Sequence, residues 1–510
     1  MSIPEEIRAV PRPKNTVVFA YGKNKDRYGV KERIGCQRKN GKNYPVNGKV
    51  VGHIVDGKYV PKESTEDVKP VVSSSSIDLK DWAGESLVLE AADCLLDELR
   101  EVYANEDALK IFCIAALRVL NPGIRDYQLS EKFQESFLSE FFPETPLSKN
   151  TVSTFQKNLG KTCSKIRQFM QNRTASIKVT DTILIDGTLK TCDSKINSLS
   201  EFSRKAKLKG RQDISVLFAF DMEKGEPVCS QVFPGNMLDL RAYESFVKDN
   251  GIKKGVVIGD KGFPSSSIED ILDKNSDLHY LNPLKRSSRV AKDHEMYSFE
   301  GVLPGEEGIQ FKKAKVQGKN KWLYSFRTSQ QAYQEEKDWI KNARKKGTYS
   351  DEEYRKKKEV FGTIVFESDL DLAPEMVYRM YSERWGIEVV MGYYKNALDF
   401  DDTRVHDDYS VIGSEFIDFI STLITFKLLK KFDETKLLDD FNYGTLMRIL
   451  KQAKKVKVDG NWELIRLNAN RIKVLELLGV LPTAEEPPVK NAADRVSSLP
   501  HSLIDWESSS

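Results

Sequence analysis

Residues 180–187 read TDTILIDG, a short apolar run (Ile183, Leu184, Ile185) closed by Asp186 and Gly187. The periodicity changes at this point. Upstream, apolar residues recur at helical spacing; from Thr180 onward they come in short runs bounded by turn residues, the pattern of buried strands. DISVLFAFD (213–221) predicts a second strand and EPVCSQVFPGN (226–236) a third. DLRAYESFVKDNG (239–251) is helical to its closing Gly251, and KKGVVIGDKGF (253–263) predicts a fourth strand. PSSSIEDILDKN (264–275) predicts a helix and DLHYLNPLK (277–285) a fifth strand. Three strands with tight links predict an antiparallel meander, and strands joined through helices are expected to be parallel.

Toward the C-terminus, residues 286–360 interrupt the alternation. They hold strand-like pieces (MYSFEGVL, GIQFKKAKV, KWLYSFRTS) and a charged helical stretch, QAYQEEKDWIKNARKKGTYSDEEYRKKKEV. FGTIVFESD then predicts a returning strand, and LAPEMVYRMYSERWGIEVVMGYYKNALDF (372–400) one long helix with Pro374 in its first turn, where proline is tolerated. SEFIDFISTLITFKLLKKF (414–432) predicts an apolar core helix, YGTLMRILKQAKKVKV an amphipathic basic one, and the Pro- and Ser-rich tail from Thr483 a disordered end. Toward the N-terminus, SKNTVSTFQKNLGKTCSKIRQFMQNR predicts a helix capped by Ser148, preceded by two more in SLVLEAADCLLDELREVY and EDALKIFCIAALRVLNPG. Residues 63–80 read as a linker, and NTVVFAYG, YGVKERIG, GKVVGHIVDG and GKYVP as short strands. The expected class is α/β: a ribonuclease-H-like mixed five-stranded sheet with flanking helices, interrupted by a β-rich insertion, plus a small β-rich N-terminal module and a helical region.

The 510 residues are 40% hydrophobic and 30% charged, ordinary for a globular chain with room for several domains. The net charge is +3, but residues 8–62 carry fourteen Lys and Arg against Asp26, Glu32 and Asp56. Such asymmetry suits contact with a polyanion, or a solvated basic surface. No apolar run approaches the roughly 18–20 residues of a membrane span, and MSIPEEIRAVPRPKN has no apolar signal core, so no membrane contact and a cytoplasmic location are expected. Cys36, Cys94, Cys113, Cys163, Cys192 and Cys229 are scattered, which argues against structural zinc and for reduced thiols.

Three acids stand where the predicted fold can converge them: Asp186 ending the first strand, Asp260 ending the fourth, and Glu388 on the long helix. Carboxylates are hard ligands suited to Mg²⁺ or Mn²⁺, and a pair of such ions can clamp the attacking and leaving oxygens of phosphoryl transfer. An Asp before Gly at a strand end is also a common turn former. The helix adds a pattern. At about 100° per residue, Tyr381, Arg384, Glu388 and Lys395 fall near 0°, 300°, 340° and 320°, one narrow stripe, with Ile387, Met391, Tyr394 and Leu398 on an adjacent apolar one. Glu383 lies about 140° from Glu388 on that wheel. Ordinary surface ion pairing explains the charges but not Tyr381. His53, His279, His294, His406 and His501 have no metal-ligand spacing.

Tyr–x2–Arg–x3–Glu–x6–Lys, carried as Tyr381, Arg384, Glu388 and Lys395, resembles the YREK signature of the insertion-sequence transposases with a DDE core and a β-rich insertion. IDGT around Asp186, PGNMLD (234–239) and GDKGF around Asp260 are similar to that family's flanking motifs. The resemblance covers roughly residues 180–430. It implies that Asp186, Asp260 and Glu388 are catalytic and bind two Mg²⁺ ions per site, with Mn²⁺ able to substitute. It also implies that Tyr381, Arg384 and Lys395 grip DNA phosphates, and that the insertion supplies an aromatic to stack on a flipped base. Trp322 is the residue chosen for that role, its alternative being packing within the insertion's own sheet. Lys261 and Arg404 lie nearby, as DNA contacts or as surface residues.

The implied partners are double-stranded DNA, as transposon inverted-repeat ends and target, and a second copy of the chain in a homodimer. The implied setting is a bacterial or archaeal nucleoid. Expected domains are residues 1–65 (basic module), 80–178 (helical), 179–285 with 361–435 (catalytic core), 286–360 (insertion), 436–482 (C-terminal helices) and 483–510 (tail). Two rivals stay open: an inactive or adopted transposase-derived DNA-binding protein, and another ribonuclease-H-like nuclease.

Overall fold

The computed structural model describes residues 3–22, 27–39, 42–62, 78–203, 210–237, 240–259, 277–383 and 385–482. They fall into two compact units, Met1–Ile77 and Asp78–Ser510.

The first unit holds a short helix α1 (Glu5–Arg8) and an antiparallel sheet in the order β1 (Thr16–Tyr21), β2 (Arg27–Lys39), β3 (Lys42–Val55), β4 (Lys58–Pro61). Its core is small: Val10, Val18, Val30 and Ile54, flanked by Ile3, Ile7, Tyr28, Val51 and Tyr59. Gly52 belongs to this packing, because a Cβ there would stand 2.5 Å from the Tyr59 ring. The four strands expected from sequence are present, but β2 and β3 run well past the sheet as a hairpin.

In the second unit the first sheet element is β5 (Asp78–Asp81), within the stretch expected to be linker; residues 63–77 lie outside the described ones. Helices α2 (Ala83–Arg100), α3 (Asn105–Leu120), α4 (Leu129–Gln134), α5 (Leu138–Phe141), α6 (Lys149–Lys161) and α7 (Cys163–Thr174) follow. Ser148 caps α6 by accepting from the Thr151 N–H at 3.3 Å. The single helix expected over 148–173 is thus two, divided at Thr162, whose hydroxyl bonds back to the Asn158 carbonyl.

The large sheet then begins with β6 (Thr182–Thr191), β7 (Asp213–Asp221) and β8 (Glu226–Pro234), a fully antiparallel meander. Helix α8 (Leu240–Asp249) leads to β9 (Gly255–Ile258), parallel to β6, and β10 (Leu278–Leu284) is parallel to β9. The central run is β8-β7-β6-β9-β10. Its inner strands are apolar along their length, as strands covered on both faces require.

The expected limit of five strands is corrected. After α9 (Arg289–Asp293), strands β11 (Gly301–Val302), β12 (Ile309–Lys315) and β13 (Trp322–Thr328) pair in series and join β14 (Thr363–Ser368), which is antiparallel to β10. Among the described residues the sheet therefore has nine strands, because β14 presents β10 on one edge and β13 on the other. The charged stretch between β13 and β14 forms α10 (Ser329–Lys346) and α11 (Asp351–Lys358). Gly347, at φ 69°, ends the first, and Ser350 caps the second.

Next come α12 (Pro374–Ser382), α13 (Trp385–Gly392) and the 27-residue α14 (Asp408–Glu434). Helix α14 is buried on nearly all sides and touches α2, α3, α6 and β8, so the helices and the sheet share one apolar core. The chain closes with α15 (Leu437–Asp440), α16 (Tyr443–Gln452), β15 (Lys454–Val458), β16 (Asn461–Leu464) and α17 (Ala469–Leu477). The expected continuation of a helix through KKVKV is corrected: these residues form β15, paired with β5 and β16. The tail expected from Thr483 lies outside the described residues. No helix among the described residues is long and apolar enough to cross a membrane.

Candidate active site

Side chains alternate along a strand, so Leu184, Asp186, Thr188 and Lys190 share one face of β6. On β7, Phe218 stands opposite Asp186 and Phe220 opposite Leu184. The Phe218 ring meets Tyr394 at 5.2 Å and Phe419 of α14 at 6.3 Å. Phe220 lies against Gly386 of α13, where an added Cβ would stand 2.7 Å from its ring. The face that carries Asp186 is therefore the face beneath α13 and α14. Asp186 is half-buried, and one of its carboxylate oxygens accepts from the Gly187 N–H at 2.8 Å.

Glu388 sits on α13 one residue after the buried Ile387 and is itself exposed. Ile387, Tyr394 and Leu398 turn into the core, as the apolar stripe predicts; Val390, outside that stripe, is buried too, while Met391 is only half-buried. Asp260, Lys261 and Arg384 lie outside the described residues, as does the helix expected over 264–275. Strand β9, which leads to Asp260, aligns its Ile258 with Leu184 of β6.

The one continuous helix expected over 372–400 is corrected. Helix α12 ends at Ser382, and the turn bond from the Gly386 N–H to the Glu383 carbonyl (3.0 Å) replaces the helical spacing. This lets Gly386 settle against Phe220. Beyond α13, residues Tyr393–Ala397 form a wide π turn closed by Leu398 N–H on the Tyr393 carbonyl at 3.0 Å. Each interruption changes the phase of the side chains that follow. Tyr381 stacks edge-on against Phe366 of β14, with centroids 5.0 Å apart. Lys395 donates to the Leu189 carbonyl at 2.8 Å and lies 3.4 Å from Asp401.

Trp322 begins β13, half-buried, opposite Lys315 and Ser368, with Lys313 and Lys315 over its ring at 4.9 and 5.2 Å. Arg404 donates to the Ile124 carbonyl and to Asp399, which ties down the 399–404 turn. A groove of about 710 Å³ opens beside Thr191 at the end of β6, lined by Arg125, Tyr127, Lys149, Arg211 and Arg404 among several acids.

Sequence reasoning missed the ionic network beneath this face. Lys190 donates to Glu415 (2.5 Å) and Asp418 (2.9 Å) of α14 and to the Tyr394 hydroxyl (3.4 Å). Tyr394 donates to Glu415, and Arg118 of α3 donates to Asp418 at 2.6 Å and Asp126 at 3.2 Å. Burial pulls the Lys190 ammonium down, but Asp418 and Glu415 more than offset it and hold it above the usual lysine range. Burial pushes the Glu415 carboxyl up, against the pull of Lys190, and raises Tyr394 well above its ordinary value. The available signal was Glu415 and Asp418, two acids one turn apart in an otherwise apolar helix, which calls for buried partners.

Asp186 and Glu388 offer only hard carboxylate oxygens, a donor chemistry that fits a divalent cation of the Mg²⁺ class. Among the described residues no cluster of three acid, His or Cys side chains forms a metal site, and Asp260 is not among them.

Residues 178–411 match the family described as the transposase DDE domain. That match spans just under half of the chain. Among solved structures, a cryo-EM structure of a piggyBac transposase synaptic complex with hairpin DNA is similar over 74% of this chain and 82% of that one, with a TM-score of 0.39 and 10% identity. No curated protein sequence matches the chain.

Proposed function

We propose that this protein is a cut-and-paste DNA transposase: it cleaves at the ends of its element and joins the freed 3′ ends to target DNA. The observation that carries the reading is the match of residues 178–411 to the transposase DDE domain family, with Asp186 on the sheet face that α13 covers and Glu388 on α13 itself. The core is then ribonuclease-H-like, with residues 179–285 and 361–435 as its two parts and 286–360 inserted between them.

In this reading Asp186, Asp260 and Glu388 hold the divalent ions. When bound, Mg²⁺ or Mn²⁺ supplies charge neutralisation at the scissile phosphate and lowers the pKa of attacking water. Arg384 grips phosphate bidentately, and Lys395, already at the rim of β6, adds a point charge. Tyr381 braces the helix break from its place on Phe366, and Trp322 offers a ring for base stacking at the edge of the insertion. The substrate is duplex DNA with inverted-repeat ends, held by a homodimer.

The test is strand cleavage of such a duplex by the purified protein in Mg²⁺. Glu388→Gln should lower the rate by on the order of 10³-fold or more, the scale seen when an essential catalytic group is removed. DNA affinity should stay at the parental level. Cleavage by the variant at the parental rate, or cleavage confined to RNA–DNA hybrids, would sink the assignment.

A further inference from the structure

Glu388 lies on a stretch of chain that is pinned to the sheet on either side of it. Two residues before it, Gly386 meets Phe220 of β7, where an added Cβ would stand 2.7 Å from the ring. Six residues after it, Tyr394 packs edge-on against Phe218 of β7 at 5.2 Å and against Phe400 at 5.4 Å. Phe220 and Phe218 stand opposite Leu184 and Asp186 in the β6–β7 ladder. Both pins therefore press on cross-strand neighbours of the segment that carries Asp186.

The second pin is more than a packed ring. Tyr394 is fully buried, and its hydroxyl donates to Glu415 of α14 and accepts from the Lys190 ammonium at 3.4 Å. Burial, reinforced by Glu415, holds the phenol well above its ordinary pKa, so the hydroxyl stays a donor. Lys190 is on the Asp186 face of β6, four residues further on, and bonds Glu415 at 2.5 Å and Asp418 at 2.9 Å. One hydroxyl thus joins the turn after α13, the strand of Asp186 and helix α14.

Stability alone does not call for this arrangement, since apolar side chains of similar volume in place of a buried ionic set are often neutral or stabilising. Directional bonds add a single geometry. A ring can slide against Phe218, whereas a hydroxyl held between a carboxylate and an ammonium cannot shift without breaking both bonds. The π turn at Tyr393–Ala397 begins at this anchor, and such turns recur at functional sites.

We propose that Tyr394 is a positioning residue: its hydroxyl, fixed by Glu415 and Lys190, sets the placement of Glu388 relative to Asp186. The function of that placement, bringing two metal-binding carboxylates together, rests on the transposase reading above.

Tyr394→Phe keeps the ring and removes the hydroxyl, and Glu415 retains Lys190, so no buried charge is orphaned. Leu323→Ala, in the separate apolar cluster with Val316 and Val365, is a core truncation outside the network. Two measurements are made on the full chain without DNA, well below the melting temperature of each variant. One is Mn²⁺ affinity by electron paramagnetic resonance, and the other is amide hydrogen exchange over residues 386–393. In Tyr394→Phe, Mn²⁺ should bind roughly tenfold more weakly or worse, the scale of losing an outer-shell partner. Exchange over 386–393 should be about tenfold faster, as local opening becomes easier. Leu323→Ala should melt at a lower temperature and match the parent in both measurements.

Parental Mn²⁺ affinity or parental exchange in Tyr394→Phe, or equal changes in Leu323→Ala, would overturn the proposal. Glu388→Gln separates the two readings. If it loses Mn²⁺ while Tyr394→Phe keeps it, the positioning role alone fails. If both bind Mn²⁺ as the parent does, the carboxylate assignment fails with it.

Discussion

Lys190 lies four residues beyond Asp186 on the same face of β6, and it connects that strand to everything that covers it. Its ammonium serves Glu415 and Asp418, while Tyr394, on the turn just after α13, closes the same cluster. Removing one partner of a buried charge set leaves the others uncompensated, at a cost of about 3–5 kcal/mol. Lys190→Met should lower the unfolding free energy by that amount in urea titration. Adding Glu415→Gln and Asp418→Asn should recover part of it, because the orphaned charges are then gone. A single variant within 1 kcal/mol of the parent would mean the cluster does not hold the strand.

None of this was legible as geometry in the sequence, since Arg118, Lys190 and Asp418 are separated by up to 300 positions. Asp186 and Glu388 stand out in the sequence because each lies in an element with strong local periodicity, but Asp186 does not end its strand as expected: β6 runs on to Thr191. A 100° wheel does not register the π turn that carries Lys395.

At the scale of elements, the decisive contact is the crossing of α6 and α14. A Cβ on Gly160 would stand 1.8 Å from the Tyr409 carbonyl oxygen, and one on Gly413 1.9 Å from that of Gln156. The two helices meet backbone to backbone, each contributing the glycine that admits the other. Gly413→Ala should therefore destabilise by roughly 2–3 kcal/mol, in the range for overpacking a tight site. Gly392→Ala, a helical position with nothing within 4 Å, should be neutral or slightly stabilising. Equal effects in a denaturation series would remove the crossing from the account.

Elements with a pure period were read correctly: the apolar runs of β6, β7 and β9, the capped α6, and the apolar α14. Where two readings compete over few residues, the sequence misled. Lys454–Val458 alternates Lys and Val with period two, yet follows a helix so closely that it reads as its last turn. The long hairpin went unread although Asn40-Gly41, between Lys39 and Lys42, is a strong two-residue hairpin signal.

The whole second unit is organised around a sheet whose centre was foreseeable and whose extent was not. The meander and the two parallel strands follow from link lengths. The outer strands β11–β13 join through β14, a pairing between segments that no local pattern specifies. This architecture brings the C-terminal half of β6 under α13 and the turn after it; in the proposed reading, carboxylates two hundred residues apart then serve one centre.

That claim is tested most directly by anomalous diffraction from crystals of the protein soaked in Mn²⁺. The account predicts manganese peaks within coordination distance of the carboxylates of Asp186, Asp260 and Glu388 together, lost in Glu388→Gln crystals grown the same way. Peaks bound elsewhere, or a Glu388 carboxylate remote from the other two, would contradict it.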